Sequence, residues 1–384
     1  MLIALDEHAT PDQTLGISTR AWVEWNVVGI ATAVAPSIVE RLEKQMRYKL
    51  LGRSGLRVSE LALGTMTFGE NWGWGASKEE SRRIFDKFVH DGGNFIDTAN
   101  RYTEGTSEKY VGEFIASDRD RFVLATKYTL FNRRDDPNAA GNHRKNMTQS
   151  LEASLKRLGT DRVDLFWLHA WDFMTPVEEV MRALDDLVRA GKVLYIGISD
   201  TPAWVVSQAN MLADLRGWTR FVALQVQYSL IERSVERDLL PMARALDIAV
   251  TPWGALGSGI LSGKYNQGGS GRMGGEADIP EHKLKIAQAV GKLAEEVGHT
   301  SSQVALSWVR QQPGVVIPIL GARTVDQIDD NLKCLDCTLT ADQLAYLSDA
   351  AKIDLGFPHD FLASDMVRGL VTAGMNEQID NHHS

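Results

Sequence analysis

From residue 60 onward, short runs that are apolar at nearly every position alternate with longer amphipathic stretches, and this unit recurs eight times. The runs are 60–64 (ELALG), 94–98 (NFIDT), 121–126 (RFVLAT), 163–168 (VDLFWL), 193–198 (VLYIGI), 221–226 (FVALQV), 247–252 (DIAVTP) and 315–319 (VVIPI). Runs apolar on both faces, each followed by a helical pattern, describe parallel strands covered by helices. Eight such units suit a closed (β/α)8 TIM barrel of about 250 residues with additions. An open doubly wound sheet would want a glycine-rich phosphate loop after its first strand. Here that position reads TMTFGENWGWG, whose glycines miss the G-x-G-x-x-G spacing. Helix starts are expected at Ser77-x-x-Glu80, Thr175-Pro176-x-Glu178, Thr324-x-x-Gln327 and Thr340-x-x-Gln343.

The chain has 384 residues, more than such a barrel needs. Met46 opens a pattern that reads as an N-terminal β-hairpin, 47–50 with 56–59, and extra helices are expected at the C-terminal end. Residues 1–45 lack the rhythm and are set apart as an atypical extension, either dispensable for the fold or a packed or regulatory element; 46–384 are expected to form the barrel unit. The longest departure inside the barrel runs over 254–280 and contains GGSGRMGG, and a loop of this length is expected to be a lid, a binding loop or disorder.

A net charge of −9, from 50 acidic against 41 basic side chains, gives no general attraction to nucleic acid or to an anionic membrane, while leaving room for a local phosphate pocket. No apolar window of 18 residues exists for a membrane span, and acidic residues occupy the first twenty positions where a signal peptide wants positive charge, so a cytoplasmic protein is expected. Cys334 and Cys337 form one lone C-x-x-C, too few ligands for a zinc site and at most a redox pair. No heptad pattern indicates how subunits would meet, and the oligomeric state is left open.

In a (β/α)8 barrel the C-terminal strand ends surround the site. Asp97, Lys127 and His169 stand at the ends of neighbouring runs two, three and four, with Tyr102 five residues past Asp97. Ser199, Asp200, Gln225, Gln227 and Trp253 end the next three runs. The quartet has a chemical logic. A Lys127 ammonium beside Tyr102 favours the phenolate and is expected to lower the pKa of the phenol, while Asp97 holds the ammonium charged. A neutral His169 could donate to a substrate carbonyl, and Tyr102 could protonate the alkoxide that develops as hydride arrives at carbon. No carboxylate cluster surrounds His169, so no metal is expected.

NFIDTANRYTEGTSEKYVGEF, FVLATKY and VDLFWLHAWD resemble the segments of the aldo-keto reductase superfamily that carry its catalytic Asp and Tyr, Lys and His. The similarity continues through KVLYIGISD, ALQVQYSLIERS, TPWGALGSGILSGKY and VIPILGARTVDQIDDNL, from Met46 to about residue 350. The opening LGRSGLRVSELALGTMTFG looks like the subgroup of bacterial general reductases and potassium-channel β-subunit-like proteins. The resemblance implies Asp97, Tyr102, Lys127 and His169 as a catalytic tetrad. It implies Ser199, Asp200 and Gln225 as holders of the nicotinamide carboxamide, and Tyr228 as the ring stacked on the nicotinamide. Trp253, Gly254, Leu256, Gly259 and Lys264 would cover the pyrophosphate. Gly321, Ala322, Arg323, Gln327, Asp330 and Asn331 would hold the adenosine phosphate.

A cation at Arg323 with Gln327 beside a helix start at Thr324 suits a 2′-phosphate, so NADP is the expected cofactor. Two positions depart from the family pattern: Asp200 stands where Asn is usual, and Thr103 where Gly follows the tyrosine. Trp72, Trp74 and Trp171 fall on loops expected near the mouth, where they could wall an aromatic substrate or simply pack their loops. The expected activity is NADP-dependent reduction of a small-molecule carbonyl, or oxidation of the alcohol, by direct hydride transfer. A nucleotide-binding regulatory subunit with slow turnover is the alternative from another class. A barrel hydrolase would want paired carboxylates at adjacent strand ends, which are missing.

Overall fold

Along each apolar run of the sequence, alternate side chains enter two different cores, and this separation sets the architecture. The computed structural model describes residues 46–267 and 279–382; the expectations for residues 1–45 and for GGSGRMGG at 268–275 lie outside them. An antiparallel hairpin, β1 (Tyr48–Leu50) and β2 (Arg57–Ser59), precedes the barrel. The barrel strands are β3 (Ala62–Gly64), β4 (Phe95–Asp97), β5 (Val123–Tyr128), β6 (Val163–Leu168), β7 (Val193–Ser199), β8 (Phe221–Gln227), β9 (Ala249–Trp253) and β10 (Ile319–Gly321). They pair in parallel in the order β10-β3-β4-β5-β6-β7-β8-β9. Closure between the two ends comes from Val250 bridging Val316, with Val250 N–H donating to Val315 O (2.7 Å) and Ile317 N–H to Val250 O (2.8 Å). The eighth run is therefore used twice. Val315–Ile317 closes the barrel on β9, and beyond Pro318, which lacks the N–H a ladder needs, the regular strand over Ile319–Gly321 pairs with β3.

Six helices follow the first six barrel strands, β3 to β8, in the expected way: α1 (Lys78–His90), α2 (Thr106–Ile115), α3 (Arg144–Leu158), α4 (Val177–Arg189), α5 (Ala203–Arg216) and α6 (Leu239–Ala245). Then come α7 (Glu281–Val297), α8 (Ser301–Arg310) and α9 (Val325–Leu332), and the C-terminal additions α10 (Ala341–Ala350), α11 (His359–Ala363) and α12 (Asp365–Val371). Ser77 caps α1, and Thr340 and Gln343 form a reciprocal capping box on α10. Thr300 and Gln303 form a second such box on α8, in addition to the expected starts. The expected cap at Thr175 is not formed: α4 starts after Pro176 without a side-chain cap, because Thr175 Oγ1 donates to Asp172 instead (2.7 Å).

The barrel interior holds Ala62, Phe95, Val123, Ala125, Leu165, Trp167, Ala223, Ala249 and Ile317, with Leu51 and Val58 of the hairpin packed into the same cluster. Trp167 lies against Gly197, where an added Cβ would come within 2.3 Å of the indole. The opposite parity, including Ile96, Leu124, Phe166, Leu168, Ile198, Leu224 and Val250, packs beneath the helices. Cys334 and Cys337 are both buried free thiols in this outer core, and burial pushes the Cys334 thiol up to about 12, far from the thiolate a redox pair would use. Among the described residues no helix is long and apolar enough to cross a membrane.

Candidate active site

Continuing the inward parity to the C-terminal strand ends predicts what lines the barrel mouth. Phe95 leads to Asp97, Ala125 to Lys127, Trp167 to His169, Gly197 to Ser199, Ala223 to Gln225 and Ala249 to Thr251 and Trp253. Asp97, Lys127, Ser199 and Gln225 are buried polar residues. The Lys127 ammonium is fully buried and spends all three protons: on Asp97 Oδ2, on Thr98 O at 2.8 Å and on Tyr102 Oη at 3.1 Å. Burial works against that charge, but Asp97 first and Tyr102 second outweigh it, and the Lys127 pKa is raised. Because Tyr102 Oη accepts from the ammonium, its own O–H is left to donate elsewhere.

The sign on Tyr102 is opposite to the one expected. Burial of the ring raises its pKa more than the Lys127 ammonium lowers it, and the Asp97 charge adds to the rise. The phenol is thereby held as a protonated donor. The His169 ring stands edge-on to Tyr102 with centroids 6.0 Å apart. Desolvation, helped by the Lys127 charge, lowers the His169 pKa to about 3, and its buried Nδ1 has no partner among the described residues. This neutral ring has a consequence for stability. Unfolded chains protonate this histidine below about 6.5 while the folded state does not until about 3, so stability is present above 6.5 and is lost as pH falls through that window. His169→Gln, which cannot protonate, should flatten the acid side of the urea-midpoint profile; an unchanged slope would contradict the assignment.

Gln225 does not wait free for a ligand: its Nε2 donates to Asp97 Oδ1 at 3.2 Å, so it braces the carboxylate that holds Lys127. Ser199 Oγ is buried and without a partner among the described residues, as a group reserved for a ligand would be. Asp200 sits at φ 41° and accepts from the Trp253 indole N–H at 3.2 Å; burial raises its pKa.

Tyr228 requires a correction. It is 1% exposed, donates from Oη to Glu236 at 2.7 Å and packs against Trp308 with ring centroids 5.5 Å apart, so no face is open to a nicotinamide. The alternation carried the signal, since Gln225 and Gln227 point inward and Tyr228 therefore points outward. The inward aromatic at this height is Trp253, 36% exposed at the end of β9.

After β9 the backbone turns through Gly254 (φ 69°), Gly257 (φ 54°) and Gly259 (φ 92°), conformations open to glycine, with Leu256 half-buried between them. A Cβ on Gly259 would come within 2.8 Å of Lys264 Nζ, so the bare backbone and the cation share one cradle. Gly321 is exposed at the end of β10, followed by buried Ala322 and exposed Arg323. Thr324 caps α9 through Gln327 N–H, while Gln327 Oε1 accepts from Arg323 N–H at 2.8 Å. The helix N-terminus is not wholly free for a phosphate, because Val325 N–H donates to Glu80 Oε1 (2.6 Å). Asp330 is also turned inward to the protein: its carboxylate takes Thr300 Oγ1 (3.2 Å) and Gln303 Nε2 (2.7 Å), tying α9 to the start of α8. Asn331 is buried and donates to Gly321 O at 3.5 Å. Trp72 and Trp74 pair with centroids 5.6 Å apart, and the Trp72 indole donates to Glu104 at 3.2 Å. Trp171 packs against the outer core.

Residues 60–352 match the model of the aldo/keto reductase family. The chain belongs to this family. It is 42% identical to a norsolorinic acid reductase of Emericella nidulans over 321 residues, covering 80% of this chain and 82% of the relative. It is 38% identical to a putative aryl-alcohol dehydrogenase of Saccharomyces cerevisiae over 339 residues (83% and 90%). An aryl-alcohol dehydrogenase [NADP(+)] of Phanerodontia chrysosporium is 39% identical over 329 residues (79% and 86%). These relatives give no support to the bacterial general reductase or channel β-subunit subgroup, and they favour carbonyl reduction over a regulatory subunit. As a member of the aldo/keto reductase family, the chain is an oxidoreductase with a nicotinamide cofactor.

Proposed function

We propose that the chain is an NADP-dependent reductase of aryl aldehydes or ketones, with Tyr102 as proton donor. The observation that carries this reading is the Asp97–Lys127–Tyr102 chain, which leaves one phenolic proton free at the C-terminal mouth of the barrel. Beside it, neutral His169 orients the substrate carbonyl, and the low dielectric that keeps both groups uncharged strengthens their hydrogen bonds to the oxygen as negative charge grows there. Tyr102 then passes its proton to that oxygen, and Lys127 steadies the phenolate left behind.

The residues present fit a nicotinamide dinucleotide: Ser199 Oγ lacks a partner among the described residues, the Gly254–Gly259 turn leaves bare backbone beside Lys264, and Trp253 offers a ring face at the mouth. Bound there, the cofactor supplies the hydride. Ser199 and Asp200 would hold the carboxamide, Trp253 rather than Tyr228 would face the ring, and Gly254, Leu256, Gly259 and Lys264 would take the pyrophosphate. Gly321, Arg323, Gln327 and Asn331 would line the adenosine end, where the Arg323 guanidinium and the Gln327 side-chain NH2 would donate to a 2′-phosphate, Glu80 having taken Val325 N–H and Thr324 the Gln327 backbone N–H. The names of the aryl-alcohol dehydrogenase relatives and the Trp72–Trp74 pair support an aryl substrate. We further assign residues 1–45 to an extension outside the barrel unit, and a small-molecule carbonyl or alcohol as the substrate, without nucleic acid or membrane insertion.

The test is reduction of an aldehyde and ketone panel, aryl and alkyl, followed at 340 nm with NADPH and with NADH. Arg323→Ala is expected to weaken NADPH roughly 10- to 150-fold, the equivalent of about 1.5–3 kcal/mol for hydrogen bonds to a charged group, and to leave NADH nearly unchanged. Equal losses for both coenzymes would contradict the 2′-phosphate role.

A further inference from the structure

Thr103 follows Tyr102 where the family resemblance puts a glycine, and its backbone shows why that matters. Thr103 lies at φ 45°, ψ 46° and Glu104 at φ 56°, ψ 34°, two successive left-handed residues with side chains, the first of them β-branched. A β-branched residue is a genuine outlier in that region and persists only where its surroundings hold it. The surroundings are specific. Fully buried Thr103 donates from Oγ1 to Phe68 O at 2.6 Å and accepts from Ser107 N–H at 3.1 Å, the first turn of α2. Gly69 makes room for it, since a Cβ there would meet Thr103 Oγ1 at 2.9 Å.

Beneath this clip lies a set of buried hydroxyls that continues to the ammonium. Ser107 Oγ bonds Thr65 O (2.8 Å) and Thr98 Oγ1 (2.9 Å), Thr65 Oγ1 donates to Asp97 O (3.0 Å), and Thr98 O accepts from Lys127 Nζ (2.8 Å). The turn that carries Tyr102 and the strand ends that carry Lys127 and Asp97 are thus fastened to one scaffold.

The geometry points to Thr103 as a positioning residue for Tyr102: its hydroxyl, bridging Phe68 O and Ser107 N–H, fixes the left-handed turn that sets the phenol 3.1 Å from the Lys127 ammonium. This rests on Tyr102 as the proton donor. Without the hydroxyl the turn loses both bonds, the phenol drifts from the ammonium and from the carbonyl oxygen, and the rate falls without loss of coenzyme affinity.

Four variants of the full chain test it: Thr103→Val, Thr103→Ser, Thr103→Gly and Tyr102→Phe, each assayed for kcat and KM with an aryl aldehyde, coenzyme Kd by tryptophan fluorescence, and the pH profile of kcat. Thr103→Val should lower kcat roughly 10- to 100-fold, the scale of an ångström-sized misplacement of a reacting group, at unchanged coenzyme Kd and with a displaced pH profile. Thr103→Ser, which keeps the hydroxyl, should restore most of the rate. Thr103→Gly adopts the turn without strain and so folds even if Thr103→Val does not, yet should also lose rate because it lacks the clip. Wild-type kcat and pH profile in Thr103→Gly, or a melting-temperature loss in Thr103→Val with kcat unchanged, would overturn the positioning role while an inactive Tyr102→Phe leaves the donor assignment standing. An active Tyr102→Phe would overturn both.

Discussion

Replacing Tyr102 with Phe is expected to lower carbonyl reduction about 10²- to 10⁴-fold, the range that a positioned general acid supplies. Lys127 Nζ directs its three protons to Asp97, Thr98 O and Tyr102 Oη, so the phenolic hydrogen cannot point at the ammonium and is the one donor in the triad still uncommitted. Burial raises the phenol pKa, which keeps that hydrogen in place at neutral pH. Phe retains the ring that stands edge-on to His169 and removes only the oxygen, so coenzyme affinity should stay nearly constant. Single-turnover reduction at 340 nm with coenzyme titration by fluorescence separates the two effects, and preserved turnover would remove Tyr102 from the mechanism.

Lys127→Met should be the most destabilising single change in the site, at about 3–5 kcal/mol, because it leaves the Asp97 carboxylate buried without its cation. Gln225 Nε2 is then its one side-chain donor among the described residues, and a neutral amide does not replace an ammonium. The pair itself is weak evidence of stability, since desolvation of both ions offsets their attraction; the penalty belongs to breaking it. Asp97→Asn combined with Lys127→Met should therefore recover most of the stability while remaining inactive. Urea unfolding of the two single variants and the double variant closes the cycle. A Lys127→Met variant within ~1 kcal/mol of the parent, the range of solvent-exposed pairs, would show that the ion pair is not buried as described.

Much of this molecule is legible in one dimension. Strands β4 to β9 fall within the apolar runs to within two or three residues, and the polar residue that ends each run faces the mouth, because both features follow from period-two alternation of a strand buried on both sides. The same counting separates Tyr228, buried on the outer face, from Trp253, exposed at the mouth, a distinction that resemblance without parity does not make. The eighth run was legible as apolar but not as two pairings, because Pro318 divides it between β9 and β3. Thr175 looked like a cap until Asp172 competed for its hydroxyl.

The sequence by itself determined the eightfold (β/α) order, the hairpin before it, the helices after it and the set of residues at the strand ends, since each depends on neighbours within a few positions. Only the tertiary structure decided the direction of the Tyr102 pKa, which balances burial against a charge on another strand. Gln225 bracing Asp97 from 128 residues away, and Glu80 occupying the N-terminus of α9 from 245 residues away, were likewise settled in space. Dielectric surroundings and long-range hydrogen-bond partners are properties of the packed barrel, and no local pattern encodes them.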